Sequence, residues 1–481
     1  MCIESAGCLY ILIKNYKINE INQHDCPTQY KERLMSHVLH HTAVRPLILS
    51  AAVLLLSACP STSSRPTQPT TYPTYPTQPI TTSPNAPVAQ GFVHQPAGSS
   101  AQYRVVSFND LPQWFNQPFA SSLQSFKNSC TKLASQAEWQ YACARAYQTP
   151  INHVAAKQFF EQVFTPWQVS DKGQLGGKVT GYYEPVLNGD VRRTNIARFP
   201  IYGIPNDLIS VPLPSSLRNS QATIRVGVVG ANRGVVQANG AYIANLAQFP
   251  ECSTTLRGRI VGNQFVPYFT RDQINAGAIN GRVPILGYAN DPVELFFMHV
   301  QGSGRLRTPS GQFVRLGFAE HNGHIYQSIG RYMANRNYLP LAQTSMQGIK
   351  AWMEANPQRL TEVLAQNPRY IFFRPLSGSS ELGPIGALGA PLTGEFSGAV
   401  DKKYITLGAP LFLATTHPDA PTQGLNRLII AQDTGAAIKG AVRVDYFWGY
   451  GEAAGQIAGK QNYTGYVWQL LPNGVLPRYV P

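Results

Sequence analysis

The stretch Val442-Arg443-Val444-Asp445-Tyr446-Phe447-Trp448-Gly449 repeats with the period of a β-strand. On a strand, Val442, Val444, Tyr446 and Trp448 share one face, and Arg443, Asp445 and Phe447 share the other. Just upstream, Leu428-Ile429-Ile430 runs into Gln432-Asp433-Thr434-Gly435, and further back stands Ala399-Val400-Asp401. Aspartates ordinarily cap helices or sit in solvated turns. These three are flanked by small or apolar residues instead. From Tyr370 onward the chain consists of short apolar runs cut by Gly and Pro, which reads as a compact β-barrel. A carboxyl on such a half-apolar face has its pKa raised by desolvation and by a neighbour such as Asp433, while Arg443 pulls the other way.

Moving toward the N-terminus, residues 320–366 keep helical spacing at Ile325, Ile329 and Met333 and again at Ile349, Trp352 and Met353. Residues 177–314 read as strands and turns, with alternation at 224–229 and a buried run at 293–300. Residues 101–164 read as mostly helical. Residues 59–100 are rich in Pro and Thr without apolar periodicity and read as a semi-extended tether. With 41 Gly, 37 Pro and 43% hydrophobic residues in 481, the composition suits a mainly β protein with helical segments.

The compartment is written near the start. His37, His40, His41 and Arg45 precede an apolar run from Leu47 to Leu56 and then Leu56-Ser57-Ala58-Cys59. This is the layout of a secretory signal peptide over 35–58, and the run is too short for a permanent membrane span. Its last four residues resemble the bacterial lipobox, which implies lipidation of Cys59. Pro60 rather than Asp follows, which by the same resemblance implies the outer membrane, with the body facing the periplasm. Residues 1–34 carry no fold signal and read as a start placed too far upstream. Of the cysteines after the leader, Cys130 and Cys143 would stand about 20 Å apart on one continuous helix. A break near Ser135-Gln136 would fold a hairpin and let them bridge in an oxidising compartment. Cys252 reads as a spare buried thiol.

The net charge of +14 suits a polyanionic partner. No basic stripe interleaved with aromatics is present, and export argues against nucleic acid. Gln301-Gly302-Ser303-Gly304 lacks the first Gly of a nucleophile elbow. The run from Gly302 to Arg307 lacks the last Gly of a dinucleotide fingerprint. His299, His321 and His324 read as structural rather than as metal ligands.

Taken in order, several segments resemble the membrane-bound lytic murein transglycosylase A family, with its C-terminal three-aspartate domain. They are Phe159-Phe160-Glu161, Val179-Thr180-Gly181-Tyr182-Tyr183-Glu184-Pro185, Phe297-Met298-His299-Val300-Gln301-Gly302-Ser303-Gly304-Arg305-Leu306, Tyr370-Ile371-Phe372-Phe373-Arg374, Gly386-Ala387-Leu388-Gly389 and the three aspartate motifs. Together they span about 104–475. The chain departs from the family at Gly435-Ala436, where a Gly pair is usual, and at Lys402, where Pro is usual. The resemblance implies a double-psi β-barrel from 101–185 and 368–481, with the three-aspartate domain at about 372–450. A smaller β-domain is then inserted over 186–367, with a substrate groove between the two. It implies Asp445 as the catalytic acid/base, Asp433 and Asp401 as supporting carboxylates, and Thr180, Tyr182, Gln301, Gly302 and Ser303 as groove residues. It implies neither metal nor cofactor. The implied substrate is the glycan strand of peptidoglycan, with the membrane reached through lipid on Cys59 and other cell-wall enzymes as further partners.

Two other readings fit parts of this pattern. Asp433-Thr434-Gly435 resembles an aspartic-peptidase loop, which needs a second such carboxylate and hence a homodimer, because no second motif is present. A periplasmic glycan-binding lipoprotein would keep the groove residues but would not need Asp445.

Overall fold

The computed structural model describes residues 86–252 and 254–480. The leader, Cys59 and the tether up to residue 85 lie outside the described residues. Among those described, no helix is long and apolar enough to cross a membrane.

A nine-stranded sheet is assembled from two distant parts of the chain, Val93–Glu184 and Ser397–Pro472. Within it, Gly177–Glu184, Val444–Tyr450, Ser397–Val400, Ala420–Asp433, Pro410–His417 and Asn462–Pro472 pair in that order. The last pairs back onto the first, closing a barrel. Two pairings are parallel: Gly177–Glu184 with Val444–Tyr450, and Ser397–Val400 with Ala420–Asp433. Strands Phe164–Asp171, Ala101–Val105 and Val93–His94 extend the sheet outward from Asn462–Pro472. The 101–164 region therefore begins as strand rather than helix, and ordered pairing starts upstream of Ala101.

Helices Phe119–Leu133, Ala137–Gln148 and His153–Val163 pack on the barrel through Phe119, Phe126, Trp139 and Phe160. Burying each such aromatic against leaving it in water contributes roughly 1.5–3 kcal/mol. Three serines on the first helix face inward: Ser122 Oγ donates to Leu428 O (2.7 Å), while Ser125 and Ser129 meet the side chain of Gln432. The chain breaks between Leu133 and Ala137. The two helices fold back, and Cys130 and Cys143 form a disulfide with Cα atoms 5.3 Å apart. Cys252 is half-buried rather than buried.

The intervening chain forms a second closed barrel, from Ile209–Pro212, Thr223–Gly230, Arg233–Val236, Tyr242–Asn245, Thr255–Val261 and Gln264–Pro267. Val211, Val226, Leu246, Leu256 and Phe265 fill it. Beside it, a six-stranded sheet runs Ile371–Pro375, Phe313–His321, Gly304–Arg307, Val186–Asp190, Ile285–Ala289, Phe199–Tyr202. This is the expected mainly β architecture with an inserted domain. Ile371–Pro375 pairs with Phe313–His321 in the insert, and the first barrel takes no strand after Glu184 until Ser397.

The apolar run at 293–300, expected among strands, is a helix, Pro292–Gln301. A short buried apolar run has no period that separates strand from helix. The deciding signal is local: Asp291 accepts hydrogen bonds from the amides of Val293 (2.7 Å) and Glu294 (3.2 Å), and Pro292 occupies the first turn. The region 320–366 is a strand end followed by three short helices, Ile329–Asn335, Met346–Ala355 and Leu360–Ala365. Ile329, Met333, Ile349 and Met353 bury against Val293 and Phe296, whereas Ile325 lies exposed before the first of these helices.

Candidate active site

The parallel pairing of Gly177–Glu184 with Val444–Tyr450 sets Asp445 opposite Thr180 and Phe447 opposite Tyr182. Alternation turns Val179, Val444 and Tyr446 into the barrel, each fully buried, and leaves Thr180, Tyr182 and Asp445 on the outer face. The Trp448 indole and the helix Gly451–Lys460 pack so closely on this strand that Gly181 has no substitute. A Cβ there would stand 2.7 Å from Trp448 Nε1 and 3.0 Å from the Ala458 Cα.

Asp445 is half-buried. Thr180 Oγ1 donates to its Oδ1 at 2.5 Å, and Arg443 Nη2 donates to Thr180 Oγ1 at 2.7 Å. Arg443 Nη1 in turn donates to the backbone oxygens of Val444 and Lys178. The guanidinium thus reaches Asp445 through a hydroxyl rather than by a direct ion pair. Burial raises the Asp445 pKa, and the Thr180 hydrogen bond and the Arg443 charge only partly oppose it. Between the competing terms in the sequence, desolvation wins.

Asp433 ends the strand Ala420–Asp433 close to this pair. The amide of Ala387 donates to its Oδ1 (2.9 Å) and Tyr182 Oη to its Oδ2 (3.1 Å). Burial pushes its pKa up to about 6; the bonds from Ala387, Thr434 and Tyr182 oppose this, and the Asp445 charge adds to it. The Tyr182 ring lies over Phe447 at 5.1 Å between centroids, and burial beside Asp433 holds its phenol protonated, well above the usual range. One face therefore gathers two carboxyls with raised pKa values, a hydroxyl and a phenol.

The remaining expected site residues are placed differently. Gln301 ends the helix Pro292–Gln301, and its Oε1 accepts from the amide of Tyr183 (3.2 Å), tying the insert to the barrel beside Tyr182. Gly302 turns the chain out of that helix at φ 81°, and Ser303 follows half-buried. Asp401 does not join the carboxyl pair. It is buried, and accepts from the amides of Lys403 (3.2 Å) and Gly440 (2.9 Å), fixing the loop that leads into Val442.

Residues that the sequence reading left without a role support the site from behind. Glu184 and Arg305 form a fully buried ion pair, Oε2 to Nε 2.8 Å, between the barrel strand and the insert. Arg305 also stacks on Tyr450 at 3.8 Å and donates to the oxygens of Ser380 and Leu382, while Arg315 donates to those of Ser377 and Gly383. Gln432 is likewise fully buried, with Ser125, Ser129 and Ser397 around its amide, and it immediately precedes Asp433. The only signal for these residues was a charged or amide side chain inside an otherwise apolar motif.

His299 meets Arg271 Nη1 through its Nδ1 (2.8 Å), and His324 Nε2 meets the Tyr268 oxygen (2.8 Å). Burial lowers both pKa values, so each stays neutral. Among the described residues, no group of His, Cys, Asp and Glu is arranged to hold a metal ion.

Residues 178–374 match the family model of the MltA specific insert domain, and residues 396–471 match that of the 3D domain. The chain is 27% identical over 395 residues to membrane-bound lytic murein transglycosylase A of Escherichia coli (strain K12), covering 78% of this chain and 90% of that protein. The crystal structure of MltA from Neisseria gonorrhoeae is 59% identical and superposes with a TM-score of 0.75, covering 83% of this chain and 97% of that one. E. coli MltA with bound chitohexaose is 26% identical with a TM-score of 0.53, over 79% of this chain and 96% of that one.

Proposed function

This chain belongs to the membrane-bound lytic murein transglycosylase A family, and from that premise we propose that Asp445 is the single acid/base of its reaction. The chain is a lytic transglycosylase of peptidoglycan. It cleaves the β-1,4 bond between N-acetylmuramic acid and N-acetylglucosamine and leaves 1,6-anhydromuramoyl ends. Such cleavage serves turnover and recycling of the cell wall.

The observation that carries the assignment is the environment of Asp445. Burial favours its protonated, donor form, and its place on the outer face turns it toward a bound strand. In the first half of the reaction, Asp445 protonates the glycosidic oxygen as the C1–O bond breaks. In the second, the muramoyl C6 hydroxyl closes on C1 and returns its proton to the ionised Asp445. No water is consumed, so the second carboxyl that a hydrolase needs is not required. Thr180 stabilises the ionised form between the two halves, with Arg443 behind it. Asp433, engaged by Ala387 and Tyr182, shapes the face electrostatically.

The relatives are named membrane-bound. The leader and the Cys59 motif support an N-terminal lipid anchor in the outer membrane, with the Pro- and Thr-rich stretch before Val93 as spacer and the catalytic body in the periplasm. The peptidase reading has no support among the relatives, which are lytic murein transglycosylases.

Purified sacculi digested with the enzyme should yield anhydro-ended muropeptides, read out by mass spectrometry. Asp445→Asn lowers their rate of release by at least roughly 10²–10⁴-fold, the usual contribution of a positioned acid/base. An Asp445→Asn variant that cuts at the wild-type rate would place the acid/base elsewhere, and wild-type protein that binds sacculi but releases no anhydro ends would make it a glycan binder.

A further inference from the structure

The outer face around Asp445 is ordered by charge. Asn462 and Asp445 flank Thr180 on the two neighbouring strands, forming one row. Two residues back along the same strands, Thr464 lies opposite Lys178, and Arg443 reaches the Lys178 backbone oxygen from the other side. Strand geometry places this second row about 7 Å from the first, on the same face. Lys178 and Thr464 are exposed, and Arg443 is half-buried. Among the described residues, neither cation has a carboxylate within ion-pair distance. Arg443 spends its donors on neutral oxygens. Asp171, which borders this edge at Ala441, is turned to Ser100 Oγ (2.6 Å) and the amide of Ala441 (3.4 Å). In the opposite direction from Asp445 come Tyr182 and Phe447, and Tyr182 leads to Asp433. One side of the proton donor is thus cationic, and the other is aromatic and acidic.

We infer that Lys178, with Arg443 behind it, is a binding site for a carboxylate carried by the muramoyl residue at the cleavage point. This rests on the transglycosylase reading above. Each muramic acid bears either a free lactyl carboxylate or a peptide rich in carboxylates. Such a group is repelled by Asp433 on one side and attracted by Lys178, with Arg443 behind it, on the other. A row spacing of about 7 Å is of the order of one sugar ring with its substituent. The site therefore fixes which way round the strand lies, and so which of its two alternating linkages meets Asp445.

The test uses the whole protein and three preparations of glycan strand: with stem peptides, with peptides removed by an amidase so that lactyl carboxylates are free, and with those carboxylates converted to neutral methylamides. Formation of anhydro ends gives kcat and KM for wild type, Lys178→Gln and Lys178→Arg. Lys178→Gln is expected to raise KM roughly tenfold on carboxylate-bearing strands, the size of one charge-assisted hydrogen bond, with kcat within about twofold. Lys178→Arg restores the lower KM, and the gap between variant and wild type closes on methylamide strands. A gap already present on peptide-free strands assigns the lactyl carboxylate, whereas one present only with peptides assigns theirs; either supports the site. Equal KM values for wild type and Lys178→Gln on both anionic preparations, or an equal rise on neutral strands, overturn it. Wild-type enzyme that makes no anhydro ends on any preparation overturns the reaction itself and the site with it.

Discussion

At the scale of single residues, the two carboxyls of the site differ in what holds them. Asp445 has one hydroxyl and keeps partial access to solvent, whereas Asp433 is gripped by Ala387 and Tyr182. Asp433 has a folded-state pKa of about 6 against an ordinary 3.8, so the fold disfavours its ionised form. Its contribution to stability is complete below pH 3.8 and is lost as pH rises toward 6, an effect of about 3 kcal/mol at most. Asp433→Asn lacks that titration. Across pH 4 to 7 the wild-type denaturant midpoint should therefore fall relative to that of Asp433→Asn, and parallel curves for the two proteins would refute the assignment. Asp445 was legible in the sequence because alternation with Val444 and Tyr446 settles which face it occupies. The sign of its pKa shift was not, since that depends on whether Arg443 touches it directly. It touches Thr180 instead, and no spacing rule encodes such a relay. Glu184 and Arg305 were equally hidden, because partners 121 positions apart leave no local trace.

At the scale of elements, the reading succeeded where periodicity or a break in it was local. The interruption near Ser135 and Gln136 gave the helical hairpin, and the hairpin brings Cys130 to Cys143. Closing so short a loop restricts the unfolded chain by about 3 kcal/mol. Replacing both cysteines by serine should cost about that much in equilibrium unfolding. Reductant should lower the stability of wild type but not of the double variant, and insensitivity of wild type to reduction would count against the pairing. The first of these helices also carries Ser125 and Ser129, which hold Gln432 beside Asp433, so the loss should extend to catalysis. The reading failed at Pro292–Gln301, where the apolar run is too short to show a period and only the Asp291 cap distinguishes helix from strand. Ile371–Pro375, expected within the barrel half at 368–481, pairs instead with Phe313–His321 of the insert, since nothing in a short apolar strand states which sheet it joins.

At the scale of the molecule, Gly and Pro content indicated only a β-rich protein. The inserted architecture came from the resemblance, because pairing across an insertion is not a local property. What joins barrel to insert is compact: Gln301 on the Tyr183 amide, and Glu184 with Arg305. Removing one partner of a fully buried ion pair leaves an uncompensated charge, at a cost of about 3–5 kcal/mol. Arg305→Met should therefore destabilise the protein by that amount in denaturant titrations, and adding Glu184→Met should recover much of it. If the double variant is as unstable as the single one, the cost lies in the lost contacts to Ser380 and Leu382 instead. The hydroxyl and the carboxyl that meet at the site stand 265 positions apart, on neighbouring parallel strands from the two ends of the barrel sequence. During synthesis, then, Thr180 leaves the ribosome long before its companion exists, and a nascent or prematurely terminated chain that stops short of Val444 has no cutting centre. Topology alone keeps the unfinished product harmless to the wall it will later trim.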